Sequence, residues 1–182
     1  MITFDFKPEK FLNAVAYFGQ RCPGFTKKKV CKLLYYADKE HLLSYGSLIT
    51  GDTYYRLPHG PIPTKGLDLL RGSGSKASLA IRDLYFEVHG IAVRVKADAD
   101  IKAFSKAELR TLEKVCSRYG PLSADYLEKL SHKEPTWMKT KPKQRIDFEL
   151  FFEGHNDAEM LKRLVTSEVE GRRILAPYRA TS

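Results

Sequence analysis

Residues 26–43 read TKKKVCKLLYYADKEHLL and carry the strongest helical pattern in the chain. Thr26 is a residue type that caps helices, because its hydroxyl can accept a hydrogen bond from a backbone N–H of the first turn. Apolar residues then recur at helical spacing, which predicts a helix that buries one face. The predicted buried face consists of Val30, Leu33, Leu34, Ala37 and His41.

A second stripe of the same helix is basic. It consists of Lys28, Lys32, Tyr35 and Lys39. Steps of four, three and four residues place these side chains on one side of a helix. Two interpretations fit the stripe: an ordinary solvated face, where lysine is common, or a surface that contacts a partner.

Other helices are indicated on both sides of this one. Pro8 suits the first position of a helix predicted over residues 8–20, because the first N–H groups of a helix have no partner within it. Ser105 with Glu108 three residues later forms a capping box that opens another helix. Further helices are predicted over residues 64–70, from Ser123, and from about Asn156.

Residues 83–96 predict a β-hairpin. His89-Gly90 fits a two-residue turn, since glycine adopts positive φ freely. Such a turn would place three apolar pairs on one face: Val88 with Ile91, Phe86 with Val93, and Leu84 with Val95. Because an isolated hairpin is only marginally stable, we expect Thr53–Leu57 to add a third strand. The predicted fold class is therefore α+β, a mostly helical bundle with a small three-stranded antiparallel sheet inserted after the second helix.

Length and composition are typical of one intracellular domain. The 182 residues are expected to form a single domain over residues 1–182. No apolar run approaches the roughly 20 residues of a membrane span, and the first residues lack the basic and apolar regions of a signal peptide. Three cysteines without CxxC spacing are typical of reduced thiols. We therefore expect a cytoplasmic protein that does not associate with membranes.

The residue types of common active sites do not occur in the required patterns. Five histidines are scattered, without an HExxH motif or a Cys/His cluster. P-loop, GxGxxG and GxSxG motifs are missing as well. We expect no catalytic residues, no cofactor, no metal and no enzymatic activity. A hydrolase or transferase of unfamiliar type would need His59, His132 and a carboxylate to meet in one pocket.

The charge balance raises the alternative of nucleic-acid binding. The net charge is +9 and the sequence pI is about 9.4. The basic stripe of the second helix and the loop Lys139–Arg145 could contact phosphates. However, the sequence contains no recognition-helix pattern, zinc-finger spacing or RNP motif. A basic nucleic-acid-binding prophage accessory protein remains the alternative function.

Two stretches carry a recognisable series of motifs. The first is KLLYYADKEH at residues 32–41, followed by Gly46, ITGD at 49–52 and HGPIP at 59–63. The second is Glu108-Leu109, Tyr119-Gly120, Ser123, Leu127, Leu130-Ser131-His132, Glu134 and Pro135 through Trp137. Together they resemble the SocA-like, or Panacea, domain of bacterial and prophage antitoxins. The resemblance covers about residues 8–140 and leaves a C-terminal helix and tail over residues 141–182.

The resemblance implies a mostly helical domain with a small antiparallel sheet and a protein that is not an enzyme. Such an antitoxin would bind and neutralise a toxin encoded beside it. Some members of the family resemble adaptors that present the toxin to a protease. The expected partners are therefore a cognate toxin and, for an adaptor, a protease system.

A toxin-binding role gives several motif residues a candidate function. Tyr54, Tyr55 and Trp137 are aromatic anchors if they are exposed, since such residues are enriched in interface hot spots. The alternative is that Tyr54 and Trp137 belong to the core. The complete set of partner-binding candidates is Lys28, Lys32, Tyr35, Lys39, Tyr54, Tyr55, His59, His132 and Trp137.

Overall fold

The fold begins with two long helices, α1 Pro8–Arg21 and α2 Lys27–Tyr45. The structure is a computed structural model, and it describes the backbone of residues 2–179 and the side chains of residues 2–167 and 169–171. Both helix starts agree with the sequence. Pro8 lies in the first turn of α1, and the Thr26 hydroxyl accepts a hydrogen bond from the backbone N–H of Lys29 at 3.3 Å.

The described residues form two separate two-stranded antiparallel sheets. In one, β1 Tyr54–Leu57 pairs with β2 Gly60–Pro63. In the other, β3 Phe86–His89 pairs with β4 Ala92–Val95. The predicted three-stranded sheet is therefore wrong, although β1 lies where a strand was expected.

The outer edges of the two hairpins explain why they do not join. On its free edge, β1 bonds to the loop at residues 143–146: the Arg56 N–H donates to the Gln144 carbonyl at 3.0 Å. In the other hairpin, β4 forms backbone hydrogen bonds with the residues that precede α2: the Val93 N–H donates to the Phe25 carbonyl at 3.0 Å. Each hairpin thus already has a backbone partner from another part of the chain.

The register of the second hairpin also differs from the prediction. Phe86 pairs with Val95, and Val88 pairs with Val93. The turn is Gly90-Ile91 rather than His89-Gly90, and Gly90 has φ +58°. Because the shift is two residues, the apolar side chains stay on one face, as the alternation predicts.

The remaining helices pack against α2 or against the elements next to it. A short 3-10 turn at Ile101–Ala103 and another at Phe148–Phe152 connect them. The capping box of Ser105 and Glu108 is present at the start of the helix Lys106–Tyr119 and confirms that prediction. The predicted C-terminal tail lies outside the described residues from position 180 onward. The helices are α3 Thr64–Arg71, α4 Lys76–Tyr85, α5 Lys106–Tyr119, α6 Ala124–Ser131, α7 Pro135–Met138 and α8 Ala158–Arg179.

Helix α2 lies at the centre of the core. It packs against α1, α3, α5, α6 and β2, so most of its circumference is enclosed. Even polar side chains of this helix, Lys32 and Asp38 among them, are fully buried. The interpretation of the basic stripe as a solvated face is therefore wrong for Lys32 and Tyr35, because other elements pack over that side of the helix.

Candidate partner-binding site

Asp38 on α2 anchors the segment that leads into β1. Its carboxylate accepts hydrogen bonds from the backbone N–H of Thr50 at 2.9 Å, the Thr50 hydroxyl at 2.5 Å and the Tyr54 hydroxyl at 2.8 Å. Burial raises the pKa of Asp38, and the three donors act in the opposite direction. Tyr54 is fully buried, so it lies in the core, as the alternative interpretation had it.

Asp52, the last residue of the ITGD motif, orients α3. Its carboxylate accepts hydrogen bonds from the backbone N–H groups of Lys65 at 3.1 Å and Gly66 at 2.7 Å, both in the first turn of α3. Burial raises the pKa of Asp52 to about 6, although these donors favour the ionised form. The motif thus fixes the direction in which α3 leaves the β1–β2 hairpin.

Lys32 supports the HGPIP motif from beneath. Its ammonium donates to the carbonyl oxygen of Pro61 at 3.1 Å, and burial lowers its pKa to about 8. Gly60 lies directly over Lys32 and Ser131 with φ +94°, so an added β-carbon would overlap both side chains. Position 60 therefore requires glycine, because the Lys32 amine and the Ser131 hydroxyl leave no room for a side chain.

Two side chains of α2 hold α7. The hydroxyl groups of Tyr35 and Thr136 are 2.5 Å apart and both residues are buried. One turn further along α2, Lys39 forms an ion pair with Glu134, the residue before α7. Tyr35 and Lys39, both predicted to contact a partner, thus contact another part of the same chain.

The side chain of Trp137 lies between α7 and β1, next to the contacts that Lys32, Tyr35 and Lys39 make from α2. Its indole stacks on the His132 ring with centroids 4.0 Å apart, and the Arg56 guanidinium lies 4.0 Å from the indole ring centre. The indole N–H donates to the carbonyl oxygen of Leu57 at 3.3 Å. Burial lowers the pKa of His132. Trp137 and His132 therefore tie α7 to the first hairpin.

The three remaining candidates, His59, Lys28 and Tyr55, are exposed or half-buried. His59 is exposed, and its Nδ1 is 3.3 Å from Oε1 of Glu128. Lys28 forms ion pairs with Asp125 at 2.8 Å and with Glu128 at 2.7 Å. Tyr55 is half-buried. The structure thus places a carboxylate beside His59, whereas His132 is occupied by its stacking on Trp137.

Comparison with known families gives one match. The profile described as "Antitoxin SocA-like, Panacea domain" matches residues 30–138, more than half of the chain. The chain belongs to this family. Comparisons with curated proteins and with solved structures returned no match. The matched range begins in α2 and ends in α7, so it contains the cluster built around Asp38, Lys32 and Trp137.

This SocA-like domain carries an open apolar groove of about 670 Å³. It lies between α1, α3 and α4, and we call it the apolar groove. Its lining is mostly apolar, with Glu9, Lys65 and Asp68 among the polar side chains. The principal apolar lining residues are Phe6, Leu12, Leu69, Ile81 and Tyr85.

Helix α4 forms one wall of the groove and has an unusual exposure pattern. It contains no buried residue. Ala77, Ala80, Ile81 and Leu84 follow the i, i+3, i+4, i+7 spacing of a helix face and are all exposed. Ile81 is 52% exposed and Leu84 is 68% exposed. We call these four residues the α4 stripe.

Sequence reasoning missed α4. It predicted no helix between residue 70 and the hairpin that was expected to begin at residue 83, so the α4 stripe was not recognised. One local signal was present: the Ser75 hydroxyl accepts a hydrogen bond from the backbone N–H of Ser78 at 3.1 Å and caps the helix. The stripe itself has helical spacing, but it faces away from the core.

Among the described residues, no helix is both long enough and apolar enough to cross a membrane. The same residues contain no group of three or more His, Cys, Asp or Glu side chains that could hold a metal ion. The cysteines are free thiols, and the sulfur atoms of Cys22 and Cys116 are 3.3 Å apart.

Proposed function

We propose that this chain is the antitoxin of a bacterial or prophage toxin–antitoxin pair, and that it neutralises its toxin by direct protein binding in the cytoplasm. Membership of the SocA-like family supports the antitoxin role. The observation that carries direct binding is the apolar groove together with the α4 stripe. Contiguous exposed apolar surface marks interaction sites, because its removal from water favours association.

The family motifs support this surface indirectly. Asp52 fixes the start of α3, and α3 supplies Leu69 to the groove. Lys32 and Trp137 hold the first hairpin, from which α3 continues. A surface on fixed helices loses little conformational freedom when it binds, which favours affinity. The motif residues therefore act as the scaffold of a contact surface formed by other residues.

The test is neutralisation of the toxin encoded beside this chain. Coexpression should restore growth, and the two proteins should copurify. The variant Ile81→Glu/Leu84→Glu puts two charges into the proposed contact. We expect its affinity for the toxin to fall at least about tenfold, as for interface hot spots, with loss of growth rescue.

A matched control uses the same residue types elsewhere. Ile101 is 55% exposed and Leu164 is 58% exposed, and neither lines the apolar groove. Ile101→Glu/Leu164→Glu should neutralise the toxin as the wild type does. Thermal unfolding of both variants checks that they fold. Full neutralisation by Ile81→Glu/Leu84→Glu, or absence of any complex with the wild type, would overturn the proposal.

The same coexpression separates sequestration from presentation to a protease. Direct neutralisation leaves the amount of toxin unchanged and finds it bound to the antitoxin. An adaptor lowers the amount of toxin, and deletion of the responsible protease restores it. We expect a constant amount of toxin in the complex.

The alternative of nucleic-acid binding loses the support of one of its two proposed basic surfaces, the basic stripe of α2. Lys28 and Lys39 are paired with acidic side chains, and Lys32 is buried, so the basic stripe is not a continuous positive surface. Binding through phosphate contacts weakens steeply as salt rises. We expect duplex DNA to bind only weakly at low salt.

A further inference from the structure

A basic surface lies near the α3–α4 connection and shares no lining residue with the apolar groove. Two adjoining pockets of about 310 Å³ and about 340 Å³ share the side chains of Lys27 and Arg71. We call them together the basic valley. Its basic side chains are Lys27, Lys28, His59, Arg71 and Arg82, and its apolar side chains include Leu57, Ile62, Leu67, Leu70 and Val88.

The charge of the valley is only partly neutralised. Lys28 is paired with Asp125 and Glu128, and Arg82 is paired with Asp83. Lys27 and Arg71 have no acidic partner among the described residues, and no Asp or Glu lines either pocket. Two adjacent cations without counter-charges create a positive potential that attracts an anionic group.

The pocket beside His59 is largely apolar, so its ligand is expected to carry an apolar group as well as negative charge. Leu57, Pro58 and Ile62 form much of its lining. An aliphatic side chain would remove this lining from water, whereas a phosphate or sugar would not. No Phe, Tyr or Trp lines either pocket, so bases have no stacking partner there. These features favour a protein ligand over a nucleic acid.

We propose that the basic valley binds an acidic segment of a partner protein, with carboxylates at Lys27 and Arg71 and an aliphatic side chain in the pocket beside His59. The inference rests on the proposed function, since it takes the toxin as the partner. Consecutive residues of α3 line the two surfaces: Leu69 the apolar groove and Leu70 the valley. One toxin can therefore contact both by wrapping the α3–α4 connection.

The probe is a fluorescein-labelled peptide of twelve residues that alternates glutamate with leucine, titrated into the full chain at low salt. Lys27→Glu/Arg71→Glu should weaken its binding at least tenfold. A hexaglutamate peptide, which carries equal charge without leucine, should bind the wild type several-fold more weakly. The neutral variant Lys27→Gln/Arg71→Gln should show an intermediate loss and guards against misfolding of the charge-reversed protein.

The matched control reverses one arginine and one lysine outside the valley. Arg110 and Lys141 are exposed, and Arg110→Glu/Lys141→Glu changes the net charge by the same amount. It should weaken peptide binding less than twofold. Equal losses in both variants would overturn the proposal, because net charge alone would then explain binding. Tighter binding of a duplex DNA probe, lost in the valley variant, would also overturn it.

The two proposals fail in different ways. Peptide binding is measured without the toxin, so it gives a result even if no toxin is neutralised. If the toxin is neutralised equally by the wild type and by Lys27→Glu/Arg71→Glu, the valley proposal falls and the antitoxin proposal stands. If the valley variant alone associates with the toxin at least tenfold more weakly than the Arg110→Glu/Lys141→Glu control, both stand.

Discussion

The ammonium nitrogen of Lys32 donates a hydrogen bond to the carbonyl oxygen of Pro61, 3.1 Å away, at a point closed to solvent. The contact joins the centre of α2 to β2. Burial lowers the pKa of Lys32 to about 8, because loss of water disfavours the charged form. Folding therefore carries an electrostatic penalty that depends on pH.

Lys32→Met should relieve this penalty at neutral pH. An unfolded lysine keeps its proton up to about pH 10.5 and the folded one only up to about 8, so the wild type gains stability between these values. The gain is about 3 kcal/mol. We expect Lys32→Met to be about 2 kcal/mol more stable than the wild type at pH 7, after loss of the Pro61 hydrogen bond.

Urea unfolding at pH 7 and pH 10.5 measures this difference. Other groups titrate in both proteins and cancel in the comparison. At pH 10.5 the wild type should be the more stable by about 1 kcal/mol, since its neutral amine still bonds to Pro61. An equal difference at both pH values would contradict the assignment.

Most of the helices could be predicted because their signals are local. Thr26 and Ser105 cap helices through residues three positions away, and both caps are present. Strand β2 could not be predicted from the sequence, because the prolines at positions 61 and 63 argue against a strand. They are tolerated because antiparallel pairs alternate between bonded and non-bonded positions. Opposite Pro61, the Arg56 N–H points away to Gln144 and needs no partner in β2.

The register of the second hairpin was ambiguous in the sequence for a different reason. Pairing Phe86 with Val93 or with Val95 keeps every apolar residue on the same face, so alternation cannot choose between them. The choice depends on the backbone of Phe25, which accepts from Val93, and on that of Lys27, which donates to Ile91 at 2.9 Å. These residues are more than 60 positions away in the chain.

The candidate site was predicted only in part, because its polar residues find distant partners. Lysine is typical of exposed positions, but Lys39 pairs with Glu134, which lies 95 positions later in the chain. Tyr35 likewise forms its hydrogen bond with a residue far along the chain, Thr136. The apolar groove depends on α4, which was missed although Ser75 caps it, because its apolar stripe does not pack against the buried core.

Gly51→Ala should be severely destabilising. Gly51 has φ +68°, and an added β-carbon would overlap the carbonyl oxygen of Asp5. Gly24 is the matched control, because it has φ +62° and no atom within 4 Å of the same position. We expect a loss of about 1 kcal/mol for Gly24→Ala from backbone strain alone, and at least about 3 kcal/mol for Gly51→Ala. Similar melting temperatures for the two variants would show that the Asp5 contact is unimportant.

Tyr35 and Thr136 should be energetically coupled. Tyr35→Phe and Thr136→Val each leave a buried hydroxyl without its partner, which costs about 1–3 kcal/mol. The double variant removes both groups, so its loss should be smaller than the sum of the single losses by about 1–2 kcal/mol. Urea unfolding of the four proteins gives the coupling. Tyr126→Phe, at an exposed position, should change stability by less than about 0.5 kcal/mol. Additive losses would argue against the bond.

The fluorescence of Trp137 should report the protonation of His132. The chain contains one tryptophan, and its indole lies against the His132 ring. A charged imidazolium in that position quenches indole emission. Because burial lowers the pKa of His132 from 6.5, quenching should begin only as the pH falls, with a midpoint below 6.5.

The stability of the folded chain should also depend on the protonation of His132. Between the lowered pKa and 6.5 the unfolded chain binds the proton and the folded chain does not, so the contribution of His132 is complete above pH 6.5 and is lost as the pH falls below it. His132→Gln should show neither the quenching step nor this part of the loss. A quenching midpoint at or above 6.5, or a step that persists in His132→Gln, would mean that another group is responsible.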